Sequence, residues 1–448
     1  MSTRFSSESL FGMDSRIFAL AVARLADALG NSFLIIVLPL YVASDAVAGS
    51  LFGIPSSMVA GVVLALFGIS SSVIQPLAGR VSDRLGRRKM FVLFGLVVFS
   101  VLNLAFVGAT EYWELFVLRI VQGAAAAFTI TASLALVNEV SMPSNRGRHM
   151  GMYNSFRLVG FGAGPLLASA LLEMGPFHFP GGLEFTGFQV TFGVAGAAAM
   201  VSAVMVALLV EDPAETRPAS RGFEIKLWNR RSGTLDSIFA LGTATLVMAA
   251  CMALLSAIEP QVNARLGQGP VLFAVEFVAL VAALAILQPV VGQWSDRVGR
   301  KPFIVVGLIA LVPTTVAQGL VSAPWEMIAL RILQGAAGAM VFAPALALAG
   351  DVAKRGQSGA QLSVLTVSFG LGIAAGQLTA GFFVTYGFLT PFVVGGLFAA
   401  AAAVIVATQV QHPSEVGPDE REKTARNKKR PTRPVDRTGQ AWEEDRIE

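Results

Sequence analysis

At 448 residues, 54% hydrophobic and 14% charged, with a mean hydropathy of +0.66, the chain is too apolar for a soluble globule. Its net charge of +4 and pI near 9.4 do not indicate nucleic-acid binding. Of the 33 Lys and Arg, 28 fall in the terminal segments and in alternate connections between apolar runs, so the excess reads as membrane topology, with no nucleic-acid partner expected.

Residues 1–15 are polar, and the apolar run after them is too long for a signal-peptide core. No cleavable signal is expected, and 1–15 are read as a cytoplasmic amino terminus. A bilayer core about 30 Å thick needs roughly 20 apolar residues per helix, and twelve such stretches can be drawn. The first six cover 16–42, 54–78, 90–109, 113–138, 148–172 and 186–210. The second six cover 236–258, 270–293, 303–323, 325–350, 358–385 and 388–410. Together they predict an all-α integral membrane protein of two six-helix bundles, 16–210 and 236–410. The linker 211–235 mixes charge, Pro and Gly and is expected to hold a short surface helix around Ile225 to Trp228. The tail 411–448 is dense in charge of both signs and reads as disordered and cytoplasmic, with the basic cluster Arg426 to Arg433 solvated; contact of that cluster with anionic lipid heads is the alternative. The 45 glycines, many inside the runs, predict close helix packing, and strands are not expected, because only helices or closed barrels satisfy backbone groups in lipid.

Orientation follows from the basic residues. Only Arg265 lies in a loop on the side opposite the 28, while Arg24, Arg119, Arg157 and Arg331 are inside predicted spans. Both termini are therefore expected in the cytoplasm, in a multi-pass plasma-membrane protein. Chemistry is sparse. No GxxxxGK[ST] phosphate loop is present, Cys251 is the single cysteine, and His149, His178 and His412 stand apart without metal-ligand spacing. No enzymatic activity, metal or cofactor is expected. If the chain moves a solute, an ion gradient, a solute gradient or a separate protein must drive it.

The chain is internally duplicated. QPLAGRVSDRLGRRK from Gln75 returns as QPVVGQWSDRVGRK from Gln288, and WELFVLRIVQGAAAA from Trp113 returns as WEMIALRILQGAAGA from Trp325. Two pairs in nearly the same register make each half a copy of one unit.

These residues carry a family resemblance. Gly79 to Lys89 resembles the loop between helices 2 and 3 of the major facilitator superfamily, and Gly292 to Lys301 its weaker copy between helices 8 and 9. Arg119 to Gly123 matches that family's helix 4 motif, repeated at Arg331 to Gly335. GFGAGPLL from Gly160, with Gly164 and Pro165, resembles the helix 5 antiporter motif of the twelve-helix drug:proton branch, although Ala168 and Ser169 replace its last two glycines. Over 16–410 the resemblance implies a major facilitator fold, with helices 1, 4, 7 and 10 lining a central cavity.

Physical chemistry gives these motifs candidate roles. Gly79 and Gly86 would permit a tight turn, and Asp83 can pair with a nearby Arg. Arg84, Arg87, Arg88 and Lys89 then meet lipid headgroups or carboxylates at other helix ends. Glu139 ends the fourth span and Asp351 the tenth. Pairing of Asp83 with Arg84, and of Glu139 with Arg146 or Arg148, would form a cytoplasmic latch, repeated at Asp296, Arg297, Gly299 and Arg300. The alternative is that these arginines only fix topology. Gly160 and Gly164 lie one turn apart, so a neighbouring backbone can approach, and Pro165 allows a kink. Gly372 and Gly376 repeat the pair in the eleventh span, with Gln377 in place of the proline.

Charges inside a bilayer cost about 2.5 kcal/mol or more each and are functional candidates. Arg24, Asp27 and Asn31 form a stripe on one face of the first helix. Helix rise places Asp27 and Arg119 within about 5 Å of the same depth. Asp27 is read as a proton carrier with Arg119 as counter-ion, against a permanent ion pair or an Arg24–Asp27 pair. Glu276 is a second proton-carrier candidate or an anchor for cationic cargo. Arg331, with Gln334, is read as a substrate contact or an interhelical hydrogen-bonding group. Asn31, Phe33, Gln122, Arg157, Met248 and Ser256 complete the expected cavity.

The first functional reading is proton-coupled efflux of amphipathic or cationic small molecules by alternating access, with the lipid bilayer and a small-molecule substrate as partners and the monomer as working unit. The second is proton-coupled uptake of a sugar, organic anion or other metabolite. A third is a non-transporting membrane sensor.

Overall fold

A computed structural model describes residues 15–44, 46–47, 53–141, 146–212, 228–229, 234–352 and 358–410. The amino terminus, most of the linker and the tail from 411 lie outside them. The first half contains α1 (Ser15–Ala43), α2 (Ser56–Leu85), α3 (Arg88–Ala105), α4 (Tyr112–Val140), α5 (Arg146–Met174) and α6 (Gly187–Leu209). The second half contains α7 (Ser237–Ala253), α8 (Glu259–Leu266), α9 (Pro270–Val298), α10 (Arg300–Gln318), α11 (Pro324–Val352), α12 (Ser358–Phe383) and α13 (Thr390–Gln409). Among the described residues twelve helices are long and apolar enough to span a membrane, and α8 alone is not. The fold is the expected all-α membrane architecture of two six-helix halves.

The differences from expectation have local causes. Spans drawn from apolar runs stop at 78 and 293, but α2 and α9 continue to Leu85 and Val298. The polar GRVSDRL and GQWSDRV segments keep helical hydrogen bonding beyond the hydrocarbon until Gly86 and Gly299, whose φ values of +63° and +114° end it. Only Gly86 serves the α2–α3 turn. Gly79 lies within α2 with open space where a Cβ would stand, so the turn does not require it. Strands do occur, in two short antiparallel hairpins, Phe177–Phe179 with Leu183–Phe185 and Trp228–Asn229 with Thr234–Leu235. Both lie between spans, where water can satisfy their edges. Trp228, expected in a surface helix, is in a strand; the rest of that expected helix lies outside the described residues.

Glycine sets the closest helix contacts. A Cβ at Gly160 would collide with the Leu25 carbonyl oxygen of α1, and one at Gly164 with the Ser32 hydroxyl. The Ser32 hydroxyl in turn donates to the Gly160 carbonyl at 3.2 Å. Gly372 and Gly376 of α12 press in the same way on the Leu246 and Ala250 carbonyls of α7. The α1–α5 and α7–α12 pairs are thus matching seams, one in each half. Across the halves α2 meets α12, where the Ser57 hydroxyl donates to the Gly381 carbonyl at 3.2 Å, and α5 meets α9, where the Phe161 and Phe277 rings are 5.3 Å apart.

We call the face carrying the α2–α3 turn the basic face and its opposite the far face. At the far face one apolar core joins both halves: Phe33, Leu34 and Val63 pack in the same cluster as Leu255, Val262 and Phe273. Toward the basic face the core divides. One cluster, around Ile17, Phe91 and Leu136, draws on the first half alone. The other, around Leu241, Leu284 and Val341, draws on the second half except for Ile35. The halves are therefore sealed together at the far face and packed independently at the basic face.

Gly160→Ala is expected to lower the thermal unfolding temperature of purified protein, consistent with an overpacking cost of about 1–3 kcal/mol. Gly162→Ala, two residues along in open space, is expected to leave it unchanged. Equal unfolding temperatures for the two variants would contradict the seam.

Candidate functional site

The basic-face motif folds around one arginine. Arg88, the first residue of α3, is 4% exposed and donates from Nη2 to Glu139 Oε1 at 2.7 Å while its Nη1 pairs with Asp83 Oδ1 at 2.9 Å. One guanidinium thus ties the ends of α2 and α4 to the start of α3. The expected partners differ: Arg84 is exposed, and the Arg146 and Asp351 side chains lie outside the described residues, as does that of Arg148. A guanidinium presents donors on two edges, so one buried arginine can serve two carboxylates that sequence reading assigned to separate partners. In the second half Asp296 accepts from Arg300 one turn away, at 2.9 Å and 3.2 Å, while Arg297 is exposed.

Asp27 is 4% exposed and pairs with Arg24 on its own helix. The expected Asp27–Arg119 pair is replaced by this one, because Arg24 stands one turn away and needs no reach across the bundle. Arg157 of α5 acts electrostatically on the same carboxylate. Tyr153, which sequence reading passed over, feels Arg24, Asp27 and Arg157, and its hydroxyl meets that of Ser133. An aspartate, two arginines and a tyrosine therefore share the α1–α5 seam on the basic-face side of Gly160.

Arg119 belongs elsewhere. Its Nη1 donates to Gln122 Oε1 at 2.7 Å and its Nε to the Val63 carbonyl at 3.2 Å, and its guanidinium lies 4.6 Å from the Phe67 ring centroid. Gln122 passes the chain on to Asn103 Oδ1 at 3.2 Å. The second half repeats this: Arg331 Nη1 donates to Gln334 Oε1 at 2.8 Å, and Gln334 Nε2 to Thr315 Oγ1 at 3.1 Å. Asn103 and Thr315 are separated by the same interval as Arg119 and Arg331, a signal the duplication already contained. Phe33, Gln122, Met248, Arg331 and Gln334, expected on a cavity wall, are each at most 1% exposed and packed inside the helices. Asn31 and Arg157 are partly exposed.

A second acidic group closes the far face. Glu276 of α9 is 1% exposed and its Oε1 accepts from Gln268 Nε2 at 2.9 Å. Gln268 also reaches Asn263 Oδ1 at 3.2 Å, and Asn263 Nδ2 lies 3.5 Å from Glu259 Oε1. Glu259 is wholly buried. Each glutamate keeps one oxygen without a hydrogen-bond partner. Sequence reading missed Glu259 because it ended the seventh span at 258 and took the polar stretch beyond that point for a loop. The usable signal was Ile258, Val262 and Leu266, an apolar stripe at helical spacing that turns the adjacent Glu259 inward with it. Burial raises the Glu259 carboxyl well above its ordinary value of 4.5, with the neighbouring Glu276 adding to the rise. Among the described residues no cluster of His, Cys, Asp and Glu is arranged to hold a metal.

This architecture defines a membrane transporter built from two like halves. The sequence profile of the Major Facilitator Superfamily matches residues 20–233 and 239–444, and the chain belongs to that family. The quinolone resistance protein NorA of Staphylococcus aureus is 26% identical over 215 residues, which are 47% of this chain and 49% of NorA. Multidrug resistance protein 2 of Bacillus subtilis is 37% identical over 123 residues, 27% of this chain and 30% of that protein. The matched region thus spans about half the length of NorA and less of the second protein. Both are resistance proteins, in line with the drug:proton antiporter branch that the motifs resemble. Among solved structures, a peptide transporter, POT, gives a TM-score of 0.71 at 13% identity, covering 90% of this chain and 95% of that one. A bacterial homologue of the human lysosomal transporter Spinster, solved inward-facing and occupied, gives 0.69 at 14% identity, covering 88% and 94%.

Because folded Glu259 holds its proton above 4.5 and unfolded Glu259 does not, the native state binds more protons across that window, and stability falls as pH rises through it. Glu259→Gln is expected to flatten the pH dependence of thermal stability above this value. An unchanged slope would contradict the assignment.

Proposed function

We propose that this chain is a secondary active transporter of the plasma membrane that exports amphipathic or cationic small molecules in exchange for protons. The basic face and both termini are cytoplasmic, as the distribution of Lys and Arg supports. The observation that carries the reading is the placement of buried acids relative to the divided core. Asp27 lies in the half where the two bundles pack apart, and Glu259 with Glu276 lies where they are sealed together.

In this state the halves are sealed at the far face and keep separate cores toward the basic face, so cargo is taken to enter from the cytoplasm. Cargo entering there meets Asp27, held by Arg24 and within the field of Arg157. Protonation of Asp27 weakens its hold on Arg24, and a cationic cargo competes with that proton for the same carboxylate. Mutually exclusive occupancy of one group, coupled to two conformations, is sufficient for exchange. At the far face Glu276 and Glu259 form the proton entry, joined through Gln268 and Asn263, and Arg331 acts electrostatically on Glu276. Rocking about the α2–α12 and α5–α9 contacts exchanges the sealed and separated faces. No covalent step is required. The resistance proteins among its relatives support a drug-like cargo. An uptake mechanism would assign Arg119 and Arg331 to an anionic cargo, whereas both lie beside the sealed far-face core, next to Leu118 and Leu330, and are engaged by glutamine within their own half.

In proteoliposomes with an imposed pH gradient, wild-type protein is expected to accumulate cationic dyes on the acid side. Asp27→Asn should abolish this gradient-driven accumulation while retaining some cargo exchange without a gradient. Full retention of driven transport by Asp27→Asn would overturn the role of Asp27. Gradient-driven movement of anions or sugars toward the alkaline side would favour uptake instead.

A further inference from the structure

Each half carries a groove on its outer surface, and the two grooves differ in charge. In the first half a cavity of about 520 Å³ runs along α3, with Met90, Phe94 and Val97 on its floor and Arg87, Lys89 and Asp212 at its basic-face end. In the second half a cavity of about 400 Å³ lies between α10 and α13 and is lined by Val305, Ile309, Pro313 and other apolar residues, with no charged side chain. Val305 and Ile309 stand at the repeat positions of Leu93 and Val97, so the cavities overlap there, the first extending from these positions toward the basic face and the second away from it, to Val312 and Pro313.

In the first groove Met90, Phe94 and Val97 are 44%, 52% and 40% exposed, at one-turn spacing on the outer side of a membrane-spanning helix. At the head of this stripe Lys89 Nζ donates to the Ala207 carbonyl at 2.7 Å, which holds the ammonium beside the groove with two protons still to give. Arg87 is exposed and has no partner among the described residues. The one acid present, Asp212, accepts from the Lys89 backbone N–H at 2.7 Å. Two cations and one anion leave this end positive, directly above an apolar channel.

We propose that this groove binds an anionic phospholipid of the leaflet at the basic face. Its phosphate takes hydrogen bonds from the Arg87 guanidinium and the Lys89 ammonium, and one acyl chain lies along Met90, Phe94 and Val97. The groove of the second half offers the same kind of apolar channel without a headgroup site. It accepts acyl chains of any lipid and does not select among headgroups.

The test uses full-length protein in nanodiscs containing phosphatidylglycerol or phosphatidylcholine with a photoreactive acyl chain, at equal mole fraction, with labelled peptides mapped by mass spectrometry. Labelling between Met90 and Val98 is expected to favour phosphatidylglycerol about fivefold or more, whereas labelling between Val305 and Val312 is expected to be equal for the two lipids. Arg87→Gln, at an exposed side chain, should reduce the preference at the first groove, and adding Lys89→Gln should abolish it. Labelling at the second groove serves as the internal control for folding of each variant. Equal labelling of the first groove by both lipids, a preference that survives both substitutions, or the same preference at the second groove would each overturn the proposal.

Discussion

The apolar seal between the halves at the far face is the constraint on which the other features depend. Phe33 and Val63 of the first half share a core with Leu255 and Phe273 of the second, while the basic-face ends keep separate cores. Removing that much apolar surface from water and lipid headgroups on one side leaves the other side free to separate. The depth of each buried charge then acquires meaning. Asp27 sits on the divided side and Glu259 on the sealed side, and this asymmetry is what the proposed proton exchange uses.

Each half also maintains internal rigidity of its own. The Arg119–Gln122–Asn103 chain and its copy through Arg331, Gln334 and Thr315 bind spans within a half and do not cross between halves. Arg88 does the same at the basic face by joining the ends of α2, α3 and α4. Glycine seams at α1–α5 and α7–α12 complete each bundle. Two stiff bodies with few polar contacts between them among the described residues suit rocking motion better than distributed bending.

Much of this was legible in the residues. The repeated QP…SDR…GR segment required two like halves, hydropathy located all twelve spans, and the spacing of Gly160 and Gly164 foretold a close helix approach. What sequence could not supply was the choice among partners. Asp27 had two arginines at compatible depth, and proximity along its own helix decided for Arg24. Asp83 and Glu139 had several candidate cations, and both turned to Arg88, because only a folded turn brings the start of α3 between the ends of α2 and α4. Glu259 was hidden by a boundary: a polar stretch after an apolar run reads as loop, although its apolar stripe folds it back as α8 over the far face.

The central claim is that the sealed and separated faces exchange. Cys251, the single cysteine, is 1% exposed, so spin labels can be directed to introduced cysteines. One pair at Leu85 and Val298 reports on the basic face, and one at Ile54 and Tyr386 on the far face. Pulsed electron-spin distance measurements in nanodiscs, taken across pH and with a cationic dye, are expected to show the first distance shortening as the second lengthens. Far-face distances that stay fixed under every condition while driven transport proceeds would contradict the account.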